Sequence, residues 1–212
     1  MHRHKWINPL SISIALFRKR INKVKVRKVL FLDIDGTAWE DRGPGTNFTK
    51  PTLNSDLLTV VKKARKKGFR VVLVTNQTYF CYQTKIKYLV YFRYFLLLAK
   101  VNLQFGSLAL LVCHHHPEAN FASLRRNCSM RKPSSNMILM LRTFIPYNPT
   151  TSIFSGDRVT DVACASLGGV QKSYLIQNSR MFENNIQSSI EMPEHLIFSL
   201  ITAKRPNWSS FD

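Results

Sequence analysis

Four stretches of this chain place carboxylates, hydroxyls or metal-type ligands directly after an apolar run. They are Asp33-Ile34-Asp35-Gly36-Thr37, Thr75-Asn76-Gln77, Cys113-His114-His115-His116-Pro117 and Ser155-Gly156-Asp157-Arg158-Val159-Thr160-Asp161. One carboxylate after an apolar strand is common by chance; four such ends in a row are not. The chemistry they suit is phosphoryl transfer. A carboxylate can attack phosphorus and form an acyl phosphate that water then hydrolyses. Nucleophile and phosphate are both anionic, so a hard divalent cation such as Mg²⁺, held by carboxylates and substrate oxygens, has to neutralise them. A second carboxylate, two residues on and past a glycine turn, can protonate the leaving alkoxide and later activate water. A lysine with a cradle of backbone and hydroxyl groups would stabilise the equatorial oxygens.

Those groups need a scaffold that delivers them to one edge. Lys28–Asp33 reads as a buried strand, apolar on both faces and ending in a carboxylate. A helix is expected over Thr52–Lys67, where Leu53, Leu57, Val60, Val61 and Ala64 recur at helical spacing and Gly68 follows as a cap. Phe69–Thr75 reads as a strand, Thr84–Ala99 as a greasy helix and Leu108–Cys113 as a third strand. Ser134–Thr143 reads as a helix, Thr151–Ser155 as a strand, Val159–Leu167 as a helix and Lys172–Ile176 as a last strand. A further helix is expected at Pro193–Ala203. Strands alternating with helices at this spacing predict an α/β domain, with a parallel sheet covered by helices on both faces. Ligands of such sheets bind at the carboxyl ends of the strands, where the four stretches fall.

The chain has 212 residues, enough for one such domain. Its 31 Lys and Arg against 12 Asp and Glu give a net charge of +19, which attracts polyanions or phosphorylated small molecules. The first 28 residues carry nine of those cations and no acid. Residues 1–27 are read as a basic, solvated extension and 28–212 as the domain. The apolar patch Ile12–Phe17 is too short for a secretory signal, and no apolar run is long enough to span a bilayer. Four scattered cysteines, Cys81, Cys113, Cys128 and Cys164, fit a reducing, cytoplasmic setting rather than a disulfide scaffold.

In order and spacing, the motifs resemble those of the haloacid dehalogenase superfamily. Asp33-Ile34-Asp35-Gly36-Thr37 is similar to its first motif and Thr75-Asn76-Gln77 to its second. Lys132, within Arg131-Lys132-Pro133, is similar to the third, and Gly156-Asp157 with Asp161 to the fourth. The resemblance implies a Rossmann-like, three-layer α/β/α fold with only short loop caps. It implies that Asp33 is the nucleophile and Asp35 the general acid and base. Magnesium would then be bound by Asp33, Asp157 and the backbone carbonyl of Asp35. Thr75, Asn76 and Lys132 would hold the phosphoryl group.

A narrower resemblance lies between the second and third motifs. Cys113-x-His115-His116-Pro117, followed by Cys128-x-Met130-Arg131-Lys132-Pro133, is similar to the zinc loop of the D-glycero-D-manno-heptose-1,7-bisphosphate 7-phosphatases and histidinol-phosphate phosphatases. Cys113, His115 and Cys128 match three zinc ligands. Met130 stands at the fourth, where a neutral thioether replaces a thiolate poorly. Three readings stay open: zinc with water or with His114 or His116 as fourth ligand, or no metal. Arg131 matches the arginine these enzymes use on substrate, and Arg158 stands where they carry a lysine.

The chain departs from this family in the loop after Gln77. There Thr78-Tyr-Phe-Cys-Tyr-Gln-Thr84 replaces a glycine-rich turn, and the helix after it is apolar all round. The resulting reading is a Mg²⁺-dependent phosphomonoesterase acting on a small sugar or polyol phosphate. The alternatives are a polynucleotide 3′-phosphatase, with nucleic acid as a less favoured partner, and a divergent, weakly active or non-catalytic homologue.

Overall fold

The computed structural model describes residues 14–17, 28–39, 52–83 and 88–176. The helix expected at Pro193–Ala203 lies outside them. Strands β1 (Ile14–Phe17), β2 (Lys28–Leu32), β3 (Phe69–Asn76), β4 (Ala109–Cys113), β5 (Ile153–Gly156) and β6 (Lys172–Leu175) form one sheet of order β1-β4-β3-β2-β5-β6. β2 to β6 are parallel throughout, and β1 pairs antiparallel with β4. Helices α1 (Ser55–Lys66), α2 (Tyr88–Gln104), α3 (Asn136–Phe144) and α4 (Val159–Leu167) are the crossovers. Each therefore runs against the strands, starting at their carboxyl edge and ending at their amino edge.

The central strands alternate which face each residue buries. Leu30, Leu32, Val71, Leu73, Leu110 and Val112 pack under α1 and α2, with Leu57, Val61, Leu98 and Val101. Val29, Phe31, Val72, Val74, Ala109 and Leu111 pack under α3 and α4, with Met137, Ile138, Leu141, Cys164 and Ala165. The result is the expected three-layer α/β/α arrangement. Asn54 caps α1 by accepting a hydrogen bond from the Leu57 amide at 3.0 Å, so the helix opens at Ser55, three residues after the predicted Thr52.

Two elements differ from the sequence reading. Ile14–Phe17 is an edge strand rather than part of a solvated tail, in register with Ala109–Val112. The open side of β4 offers unpaired backbone groups, and a β-forming run of four apolar residues fills them. The second is the helix expected at Thr84–Ala99: it is described over Tyr88–Gln104, running five residues past Ala99, and a 3₁₀ turn at Tyr79–Tyr82 precedes it. Phe80 and Cys81 are buried there, and Phe80 packs edge-on against Tyr94 of α2 at 5.1 Å. The aromatics thus anchor the loop to α2. On α2 itself, Tyr94, Leu97, Leu98, Val101 and Phe105 just beyond it are buried, while Phe92, Leu96 and Leu103 are exposed. No helix among the described residues is long and apolar enough to cross a membrane.

Candidate active site

β2 and β5 are neighbours, so their carboxyl ends bring the first and fourth motifs together. The Asp33 amide donates to the Ser155 carbonyl at 3.0 Å, pinning the two ends to each other. Gly36 turns the chain with φ +74°, and any side chain there would run into the Asp157 carboxylate. Glycine is needed at this point for both reasons. One carboxylate oxygen each from Asp33, Asp157 and Asp161 falls within 4.8 Å of the others.

Lys132 reaches this group from the loop before α3. Its buried Nζ lies 2.6 Å from Asp33 Oδ1 and 2.5 Å from Asp161 Oδ1, and donates to the Val74 carbonyl at 3.0 Å. Burial alone would lower its pKa, but the charges of Asp33 and Asp161 outweigh that and raise it. Lys132 therefore stays a cation. Burial raises Asp33 well above the usual carboxylate range, Lys132 opposes this, and Asp161 and Asp35 add to the rise. Burial and then Asp161 raise Asp157 as well. Three carboxylates face one ammonium, leaving an excess of negative charge.

Asp35 is not one of these three carboxylates, though its charge acts on Asp33. Its carboxylate accepts from the Trp39 indole at 2.7 Å and from the Gln77 side-chain amide, which also donates to Thr75 Oγ1 at 2.9 Å. Asn76 uses its side-chain amide on the Lys132 backbone, accepting from N at 3.0 Å and donating to O at 2.9 Å. That clamp holds the lysine-bearing loop on the end of β3. Sequence reasoning gave Asp161, Trp39 and Gln77 no role of their own. Gln77 stands in the second motif and Asp161 in the fourth, and those positions are the available signals.

Hard oxygen donors with a surplus of charge fit Mg²⁺. The buried Asp157 Oδ1, which has no hydrogen-bond partner, points the same way. A second cluster, Cys113, His115 and Cys128, also brings its ligand atoms within 4.8 Å. Cys113 Sγ lies 3.8 Å from His115 Nδ1, and His115 Nε2 is buried without a hydrogen-bond partner. A hydrogen bond with Cys113 pulls the Cys128 thiol down to about 5. Thiolate and imidazole donors fit zinc, with three protein ligands. Neither spare histidine joins them. His114 turns to the other face of the sheet, beside Tyr94 and Phe95. His116 Nδ1 accepts the Glu118 amide, and its Nε2 is 3.4 Å from the Tyr82 hydroxyl. Met130 is half-buried and packs against the core under α3 and α4.

At the rim, Arg131 donates to the His115 carbonyl at 3.0 Å. Arg158 is exposed and lies 3.9 Å from Asp157. Its backbone amide donates to Asp161 Oδ2 at 3.0 Å, capping α4.

No family model matches the chain. The D-glycero-beta-D-manno-heptose-1,7-bisphosphate 7-phosphatase of Haemophilus influenzae is 27% identical over 160 residues, which are 73% of this chain and 84% of that protein. The histidine biosynthesis bifunctional protein HisB of Campylobacter jejuni subsp. jejuni is 27% identical over 172 residues, 77% of this chain and 46% of that protein. Among solved structures, a HAD-like phosphatase from Mesorhizobium loti superposes with a TM-score of 0.61 at 21% identity, covering 72% of this chain and 77% of its own. The D,D-heptose 1,7-bisphosphate phosphatase from B. bronchiseptica, complexed with magnesium and phosphate, gives 0.53 at 18% identity, covering 78% and 89%. These two superpositions establish the fold, and the curated relatives agree with it in sequence. The chain has the fold of haloacid dehalogenase-type phosphatases, and in sequence it is similar to the heptose-bisphosphate 7-phosphatases and the histidine-biosynthesis protein HisB.

Proposed function

We propose that this phosphatase is a Mg²⁺-dependent phosphomonoesterase that works through an aspartyl phosphate on Asp33. The observation that carries the reading is the buried Asp33–Lys132–Asp161 contact beside Asp157. Asp33 attacks phosphorus as the bond to the ester oxygen breaks, and Asp35 gives that oxygen its proton. Water then attacks the acyl phosphate, Asp35 takes the water's proton, and inorganic phosphate leaves Asp33 free. Trp39 and Gln77 fix the Asp35 carboxylate for both proton transfers. Lys132 and Thr75 hold phosphoryl oxygens, and Asn76 acts by positioning Lys132. Asp33, Asp157 and the Asp35 carbonyl would hold Mg²⁺, which when bound offsets the charge of the carboxylates and of the phosphoryl oxygens.

The substrate in this reading is a small sugar or polyol phosphate, of the kind for which the heptose-bisphosphate relatives are named. Arg131 and Arg158 at the rim suit a second anionic group on it. The test is phosphate release from p-nitrophenyl phosphate with and without Mg²⁺, followed by a screen of sugar phosphates. Turnover that survives chelation of Mg²⁺ overturns the reading.

The raised pKa values add a signed expectation. A carboxyl whose folded pKa is raised contributes stability below its unfolded value, and that contribution is lost as pH rises through the folded value. Metal-free protein should therefore weaken as pH climbs above the ordinary carboxylate range. Mg²⁺ binds the ionised form, so the rise in melting temperature that it produces should grow with pH over the same window. Calorimetry at a series of pH values, with and without Mg²⁺, checks it; a Mg²⁺ effect independent of pH counts against these ligands.

The zinc cluster gives a further expectation. With three protein ligands, zinc should be sub-stoichiometric after purification and lost readily to a chelator. Met130→Cys should bring occupancy towards one zinc per chain and enlarge the zinc-induced rise in melting temperature. Elemental analysis decides it: one tightly held zinc in the wild type means the three ligands suffice.

A further inference from the structure

The acids are segregated along the strand direction, while exposed cations stand at both edges, with Arg125, Arg126 and Arg158 at the carboxyl one. Among the described residues the acids are Asp33, Asp35, Asp56, Glu118, Asp157 and Asp161, and all sit just after the carboxyl ends of strands, in the loop that follows β4 or in the first turns of helices. The opposite edge carries no acid among the described residues. Lys28, Arg70 and Lys172 open or nearly open β2, β3 and β6, and Lys66, Lys67 and Arg142 sit where α1 and α3 finish. All six are exposed, and none is ion-paired among the described residues. Compensation of helix dipoles accounts for cations in the last turns of helices. It does not account for those that begin strands.

Apolar side chains stand on the same edge. Leu103 near the end of α2, Phe144 at the end of α3 and Leu167 at the end of α4 are 63%, 57% and 58% exposed. They come from helices on both faces of the sheet, so they flank the row of cations instead of forming one stripe. A nucleic-acid surface needs the cations alone. Cations together with protruding leucine and phenylalanine fit a bilayer, whose headgroups attract the charge and whose acyl boundary accepts the apolar tips.

We propose that the amino edge of the sheet docks the protein on an anionic lipid surface. The active site then opens at the opposite edge, towards water and soluble substrate. The surface is drawn from described residues only and does not depend on the phosphatase assignment.

Co-sedimentation of the full chain with vesicles tests it, using phosphatidylcholine alone and phosphatidylcholine with about one third phosphatidylserine. The chain should pellet with the anionic vesicles and stay free of the neutral ones. Replacing Lys66, Lys67 and Arg70 together by glutamine should weaken partitioning about a hundredfold, at about a factor of five for each cation near the surface. Leu103→Ser with Phe144→Ser should weaken it by about tenfold. Phosphatase activity on a soluble ester and the melting temperature, measured alongside, should stay at wild-type values in the cation variant. Equal pelleting with neutral vesicles overturns the proposal, as does a cation variant that binds like wild type. Loss on removing the cations but none on removing Leu103 and Phe144, or tighter capture by single-stranded RNA at the same salt, overturns it in favour of a general polyanion surface.

Discussion

Asp33→Asn should lower kcat by about four orders of magnitude or more, as expected for one member of a catalytic unit. An amide oxygen can still accept the Lys132 hydrogen bond that Asp33 Oδ1 accepts at 2.6 Å, so the local packing survives. What disappears is the nucleophile and one of the negative charges around Lys132. Asp33 is buried, its pKa is raised, and Asp161 and Asp35 lie close enough to repel it. Removing that charge should leave the metal-free protein as stable as wild type or more so. The two readouts therefore move apart: turnover collapses while the melting temperature holds or rises. Activity within about tenfold of wild type, an effect of roughly 1.4 kcal/mol, would refute Asp33 as nucleophile.

Lys132→Met should fail on both counts. Methionine fills much of the volume, but Asp33 and Asp161 are then left buried with no cation between them. Removing one partner from a buried ion pair costs about 3–5 kcal/mol. The hydrogen bond to the Val74 carbonyl goes as well. Urea titrations should show the loss at neutral pH and a partial recovery on acidification. The sign follows from Asp33, whose raised folded pKa makes its protonated form the stabilising one at low pH. Adding Asp161→Asn to Lys132→Met should restore part of the stability at neutral pH without restoring turnover. A single variant as stable as wild type at every pH would mean that the three groups are not coupled as the geometry shows.

Much of this was legible in the sequence because parallel sheets are buried on both faces. Leu30–Leu32, Val71–Val74 and Ala109–Val112 cannot be exposed anywhere, and a polar residue at the end of each run has to emerge at one edge. The carboxylates of Asp33 and Asp157 meet for that reason alone. Illegible were the choices made by side chains with several possible partners. Asn76 looks like a phosphate ligand from its place in the motif, yet its amide is spent on the Lys132 backbone 56 residues away. The three consecutive histidines read alike, but the alternation of a strand continues past Cys113. It sends His114 to one face and His115 to the other. The edge strand was hidden because four apolar residues before a run of cations look the same whether they pair or not.

That edge strand has a bearing on where a minimal working unit can be cut. A truncation at Lys28 looks harmless from the active site, since no catalytic side chain precedes it. It would nonetheless strip β1 from β4, whose five residues are all buried. The freed side would be a flat apolar ribbon with unpaired amides and carbonyls, a template on which a second truncated chain could lay its own β4. Such a fragment would keep its chemistry but acquire a taste for its own kind, assembling more as it is concentrated. Ile14–Phe17 then serve as a cover for the edge of β4.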